Sequence, residues 1–197
     1  KAEPYMTVGS EVDTDNPKQN GIRQKIITRA ASIAAAALLM LGTGYGVVTY
    51  SMPYSYVDFD INPSIELTVN MYDRIIGAEA LNSDGQVLLE KSNLKNSKLS
   101  EGVSKLISVA YEQGYIKSDD THPDEVQNTV LFTVASSNAN KSKVLKEELA
   151  NTIEEKLSKE SIISDVLVGE ATLEQREDAR KIGTTPGKLA LIANAIE

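Results

Sequence analysis

From Tyr56 to Asn70 the chain alternates with a period of two. Val57, Phe59, Ile61, Ile65, Leu67 and Val69 are apolar, while Asp58, Asp60, Asn62, Ser64, Glu66, Thr68 and Asn70 are polar. Such alternation predicts strands over 56–61 and 64–70 with one face in a core. Pro63 stands at an inward position of the same pattern, and the period continues through it. A proline inside a strand removes a ladder hydrogen bond and marks an edge, a bulge or a break. The Asn62-Pro63 bond is therefore the place where the pattern asks for an explanation.

Further strand patterns cover Arg74 to Leu81 and, after Asn82-Ser83-Asp84-Gly85 read as a tight turn, Gln86 to Glu90. Leu99, Val103, Leu106, Ile107 and Ala110 share one helical face, with Gly114 as a stop. Thr129 to Ala135 reads as a strand. Between Lys141 and Lys159, Leu145, Leu149, Ile153 and Leu157 recur every four residues on a helix whose charges face solvent. Ile162 to Val168 is another strand candidate. Thr172-Leu173-Glu174-Gln175 has the form of a capping box that opens a helix ending at Gly183. Thr185-Pro186 starts a last helix, with proline at its first position and Leu189, Ile192, Ala193 and Ile196 along it. The expected fold class is α+β, a mixed sheet covered by helices. No internal repeat of 20–50 residues is evident.

Upstream of this domain, Ala30 to Met52 contains no charged residue, and about 20 apolar residues suffice to cross a bilayer. The run reads as a transmembrane helix; a signal peptide would have a shorter apolar region and a shorter polar lead. Arg23, Lys25 and Arg29 precede it, and the next Lys or Arg is Arg74. By the positive-inside rule the N-terminus is cytoplasmic and the rest extracytoplasmic, giving a single-pass protein of the cell membrane. Residues 1–29 are then a cytoplasmic linker, of which Lys1 to Asn20 is polar and aperiodic, 30–52 the membrane helix and 53–197 the outer domain.

Residues 53–197 carry 24 Asp and Glu against 15 Lys and Arg. That balance repels nucleic acid, and it argues that the two closing helices are a cap on the sheet rather than a DNA-reading helix-turn-helix. There is no cysteine, so thiolate chemistry and disulfides are excluded. The one histidine, His122, lies in the acidic loop Asp119-Asp120-Thr121-His122-Pro123-Asp124, where it reads as a solvated loop residue with no partners for a metal site or a triad. No cofactor is expected.

The chemistry that remains belongs to Asn62 and Pro63. Asparagine ordinarily degrades when the next backbone nitrogen attacks its side chain, a route that proline closes because it has no N–H. The reverse attack stays open. The Asn62 amide nitrogen can close a five-membered succinimide on its own main-chain carbonyl and expel the prolyl nitrogen, cutting the chain. A carboxamide is a poor nucleophile, so the fold must supply near-attack geometry, worth roughly 7–11 kcal/mol, and backbone strain at the proline is a further source of about 1–3 kcal/mol. Strand parity places Asp58 and Asp60 on the side of Asn62, where either could orient or deprotonate the amide. Ser64 and the backbone are candidates for stabilising the oxyanion. The bland alternative is that Pro63 merely separates two strands of a hairpin, and Asn16-Pro17 in the polar tail is a built-in control that should be inert.

Asp60-Ile61-Asn62-Pro63-Ser64-Ile65-Glu66-Leu67, just beyond a single membrane helix, resembles the juxtamembrane domain of the RsgI family of bacterial transmembrane anti-sigma factors. The likeness extends over most of residues 20–197, including Gly183-Thr184-Thr185-Pro186-Gly187-Lys188. It implies autoproteolysis between Asn62 and Pro63, with the two pieces staying associated. It further implies that loss of the outer piece exposes the stub to an intramembrane protease, which frees a sigma-I-type factor held on the cytoplasmic side. The family's sigma-binding domain is expected to be missing from this sequence or reduced to the linker, and an extracellular polysaccharide to be bound only through a module outside this sequence.

The expected function is thus transmission of an extracellular signal by one self-cleavage at Asn62-Pro63, carried by Asn62, Pro63, Asp60 and Ser64, and not a turnover enzyme. Two other readings stand beside it. One is an uncleaved membrane-anchored extracellular interaction module with an acidic surface. The other is a structural role in helix pairing through Gly42-x-x-x-Gly46.

Overall fold

The computed structural model describes residues 17–117, 129–162 and 164–196. The His122 loop and Asn16 lie outside the described residues. Two compact units divide the chain, Lys1–Val47 and Val48–Glu197. Helix α1, Pro17–Ser51, has 35 residues, so the helix begins within the stretch expected to be linker. Its portion Arg23–Ser51 reaches a mean hydropathy of 1.7 and is long and apolar enough to cross a membrane.

The second unit holds a five-stranded sheet in the order β3-β2-β1-β4-β5. Strand β1 (Ser55–Asp60) lies between β2 (Ser64–Val69) and β4 (Val130–Ser136), antiparallel to both. The edges are β3 (Ile75–Ala80), antiparallel to β2, and β5 (Val166–Ala171), parallel to β4. The α+β mixed sheet expected from the sequence is the fold found.

The strands alternate as their sequence requires. Val57, Phe59, Ile65, Leu67, Phe132 and Val134 face one side. There they pack with α2 (Ser83–Ser92), α3 (Leu99–Glu112) and α4 (Ala139–Glu160). Val103, Leu106, Ile107, Leu145, Leu149 and Ile153 are buried from the helical side. The rings of Phe59 and Phe132 meet at 5.0 Å. The other face of the sheet is also covered. Helices α5 (Leu173–Lys181) and α6 (Pro186–Ile196) lie over it, and this is why Asp58, Asp60, Ser64 and Glu66 are buried. A side-chain carbon at Gly187 would meet Thr133 Oγ1 at 2.2 Å, so the first turn of α6 approaches β4 as closely as only glycine allows. The expected capping box at Thr172 and Gln175 opens α5, and Gly183 ends it with φ +74°.

Three expectations are corrected. Gln86 to Glu90 is not a strand but part of α2, because Asn82 is an N-cap whose side chain accepts the amide hydrogen of Gly85; a cap and a hairpin turn share the same residue types. Ile162 does not begin a strand. Ser161 turns left-handed at φ 53° and Ile162 N donates to Leu157 O, so Ile162 closes α4 with an apolar contact, and β5 starts at Val166. Ile61 leaves β1, since Asp60 pairs with Ser64 and Ile61-Asn62-Pro63 is the hairpin connection. The period of two across Pro63 thus comes from two antiparallel strands on either side of a three-residue turn.

Candidate functional site

The β1–β2 turn is tied down on three sides. Ile61 N donates to Pro63 O at 2.9 Å, and Leu81 N donates to Ser64 O at 2.9 Å. Asn62 is exposed at the tip and Pro63 is buried. The Asn62 side chain accepts a hydrogen bond at its Oδ1 from Asn82 Nδ2, at 3.1 Å. Asn82 Oδ1 in turn accepts from Ser64 N at 3.1 Å and Gly85 N at 2.8 Å. The left-handed non-glycine residues among those described are Asp73, Asn93, Asn96 and Ser161. None is in the turn, so the expected strain at the proline is not seen in a positive φ.

Beneath the turn lies a buried polar layer between the sheet and α5–α6. Thr185 Oγ1 donates to Asp60 Oδ2 at 2.6 Å, and Lys188 Nζ forms an ion pair with Asp60 Oδ1 at 3.1 Å. Lys188 Nζ also donates to Ser64 Oγ. Asp60 is therefore engaged by α6 and not by the Asn62 amide, contrary to the orienting contact that strand parity suggested. Asp60 and Ser64, both expected at the site, are joined through Lys188, which sequence reasoning did not single out. Thr185 and Lys188 stand in the closing Gly-Thr-Thr-Pro-Gly-Lys segment, and Asn82 was hidden by its reading as a turn. A cleft of about 390 Å³, lined in part by Ser64, Asn82, Thr185 and Lys188, opens beside the turn.

Deeper along the same face, Glu66 receives a bidentate pair from Arg176 at 2.7 and 2.6 Å and a further bond from Arg180 at 2.6 Å. Arg180 reaches on to Glu79, and the Arg176 guanidinium lies 3.5 Å over the Tyr56 ring. These contacts fasten α5 to β1, β2 and β3. Asp58 has no such partner. Neither of its carboxyl oxygens has a hydrogen bond, and the same holds for Thr133 Oγ1, its neighbour across the ladder. Burial first, then the charges of Glu66 and Asp60, push Asp58 up from the ordinary 3.8 to about 8, against the lowering pull of Arg176 and Arg180. Asp58 is thus held mainly in its neutral form at pH 7, and its carboxyl makes no hydrogen bond to Asn62. Among the described residues no group of three His, Asp or Glu is arranged to hold a metal ion.

Residues 54–194 match the anti-sigma factor RsgI-like central domain. The chain is 44% identical over 172 residues to the anti-sigma-I factor RsgI7 of Acetivibrio thermocellus, a likeness that covers 87% of this chain and 31% of that protein. It is similar to RsgI9 of the same organism at 31% identity over 180 residues, covering 86% and 24%. The anti-sigma-I factor RsgI of Bacillus anthracis is 28% identical over 185 residues, covering 91% and 39%. The chain spans less than half the length of these relatives.

Proposed function

Because the chain belongs to the RsgI family of anti-sigma factors, we propose that it is the membrane-spanning, signal-transmitting part of such a regulator. It cuts itself once between Asn62 and Pro63 and holds the pieces together until they are pulled or displaced. Helix α1 is the single-pass anchor, with the N-terminus cytoplasmic as Arg23, Lys25 and Arg29 favour. Removal of residues 63–197 exposes the stub to an intramembrane protease, and a sigma factor bound on the cytoplasmic side is freed.

The observation that carries this reading is the place of the Asn-Pro bond. It sits in a turn outside the ladder, with Asn62 exposed, while the strand before it is locked in mid-sheet, so a cut there breaks the chain without undoing the fold. In the reaction the Asn62 Nδ2 forms a bond to the Asn62 carbonyl carbon, and the bond from that carbon to Pro63 N breaks. One proton leaves Nδ2 and one arrives on the prolyl nitrogen. We assign the supply of that second proton to Lys188 acting through the Ser64 hydroxyl, since their hydrogen bond ends one residue beyond the departing nitrogen. Asp60 and Thr185 hold Lys188 and the first turn of α6 in place. Water entering from the adjacent cleft then opens the succinimide.

Intact mass under denaturing conditions tests the reading. The folded full chain in micelles is expected to yield residues 1–62 and 63–197, while native separation shows one species. A single full-length mass after prolonged incubation overturns self-cleavage and leaves an uncleaved membrane-anchored interaction module. Equal cutting at Asn16-Pro17 would assign the lability to the dipeptide and not to the fold.

A further inference from the structure

The amide of Asn82 has only one orientation that satisfies its neighbours. Its outer edge faces two backbone donors, Gly85 N at 2.8 Å and Ser64 N at 3.1 Å, so that edge must be the oxygen. Its Nδ2 therefore points to Asn62, 3.1 Å away, and the atom it meets must be the acceptor, Asn62 Oδ1. One flip fixes the other. The Asn62 Nδ2 is left with no hydrogen bond to any described residue, on the exposed side of the turn.

A carboxamide nitrogen attacks carbon only after its lone pair is withdrawn from conjugation with its own carbonyl. As the nitrogen gives up a proton, charge collects on the side-chain oxygen. A donor already aimed at Asn62 Oδ1 stabilises that charge and holds the nitrogen facing away from it. The placement is built into the fold. Asn82 caps α2, and a side-chain carbon at Gly85 would lie 2.3 Å from Ser64 O. The start of α2 is thus pressed against the residue following the scissile proline, while the Asn82 side chain reaches back across the bond to the residue before it.

We propose that Asn82 is a positioning residue for the self-cleavage, orienting the Asn62 amide and stabilising its charged form through Oδ1. The role rests on the self-cleavage reading above. Asn82→Asp separates it from the cap, because a carboxylate keeps both acceptor contacts, to Gly85 N and Ser64 N, and lacks the donor. Cleavage is followed from freshly translated full-length chain in micelles at several pH values, with the thermal unfolding midpoint measured on the same variants in an uncleavable Asn62→Ala background. The expected result is an unchanged midpoint and cleavage slower at pH 7.5 by about 10²–10³, the usual effect of removing one donor from a developing oxyanion. Below about pH 5 the introduced carboxyl regains a proton that it can donate, so the gap from wild type should narrow. A merely structural role would produce no such acid limb. Wild-type kinetics in Asn82→Asp, or a slowing independent of pH that follows a loss of stability, overturns the proposal. If Asn82→Asp does not fold, Asn82→Ser carries the test as the other good cap, too short to reach Asn62: slow cleavage in the folded variant supports the role and wild-type cleavage removes it. A wild-type chain that never cleaves refutes the self-cleavage reading itself, and with it this role.

Discussion

Asp58 offers a sharp numerical test of how the polar layer is built. It is 1% exposed, has no hydrogen bond on either oxygen, and is pushed up from 3.8 to about 8 by burial and by Glu66 and Asp60. A carboxyl raised in the folded state is neutral in both states at low pH, so its contribution is most favourable below about pH 4. Stability is then lost as the pH rises from about 4 to about 8, where the unfolded chain ionises and the folded chain does not. Each pH unit in that window costs about 1.4 kcal/mol, which gives about 4 kcal/mol at pH 7. Against the usual 5–15 kcal/mol of a domain this is a large fraction. Asp58→Asn, neutral in both states, should therefore stabilise the protein by about 3–4 kcal/mol at pH 7 and by less than about 1 kcal/mol at pH 4.5. Urea unfolding of the full chain in micelles, followed by circular dichroism in an Asn62→Ala background, measures the difference. A gap that is the same at pH 4.5 and pH 8, or a wild type that gains stability towards pH 8 relative to Asp58→Asn, would refute the reasoning.

Four other substitutions probe cleavage and retention. Asn62→Ala removes the attacking amide and should give a folded chain with a single full-length mass. Pro63→Ala restores a backbone N–H, so chain cutting should slow strongly while the mass gain of ordinary deamidation appears at Asn62; rapid cutting without deamidation would contradict the assigned direction of attack. Asp60→Asn loosens Lys188 from its ion pair and should slow cleavage at least about tenfold, within the range of general acid assistance; unchanged kinetics would remove the Asp60–Lys188 pair from the mechanism. Phe59→Asp places a charge in the core beside Phe132, so membrane fractionation should find residues 63–197 released if cleavage occurs, or no cleavage if folding fails. A cleaved outer piece still fully bound to membranes through the stub would show that β1 is not what retains it.

Much of this was legible because burial leaves a periodic trace. The period of two from Val57 to Val69 and the four-residue spacing from Leu145 to Leu157 each mark a face that meets the core, and both are found there. The second buried face left no such trace. Asp58, Asp60 and Glu66 read as solvent-facing residues, and only the arrival of Arg176, Thr185 and Lys188 from more than a hundred positions away makes them interior. Parity put Asp60 on the side of Asn62, whereas the contacts that its carboxylate makes are to Thr185 and Lys188. A pairing between distant polar residues has no local period to announce it. Asn82 was missed for a different reason: Asn-Ser-Asp-Gly satisfies the chemistry of a hairpin turn and of a helix start equally well, and the choice is made by Leu88, which α2 buries in the core.

On the proposed reading, the double burial of β1 is what would let one bond be both breakable and silent. The Asn62-Pro63 bond lies outside the ladder, so a cut there would leave β1 its pairing to β2 and β4 on its two edges. Val57 and Phe59 remain fully buried on one side, at about 1.5–3 kcal/mol each; Ile61, expected to join them, is only half-buried in the turn. On the other side Asp60 is bound to Thr185 and Lys188, and Tyr56 lies under Arg176. Further up the stub, Asn70 Nδ2 donates to Tyr50 O at 2.8 Å. Residues before and after such a cut would thus stay joined by noncovalent contacts on every side of the strand, and those contacts share one sheet. On that reading, separation would require β1 to leave as a whole, a demand suited to a steady pull or a competing ligand rather than to fraying of the turn. A covalent connection would resist any such pull, and an edge strand would yield to too little; a cut central strand lies between them.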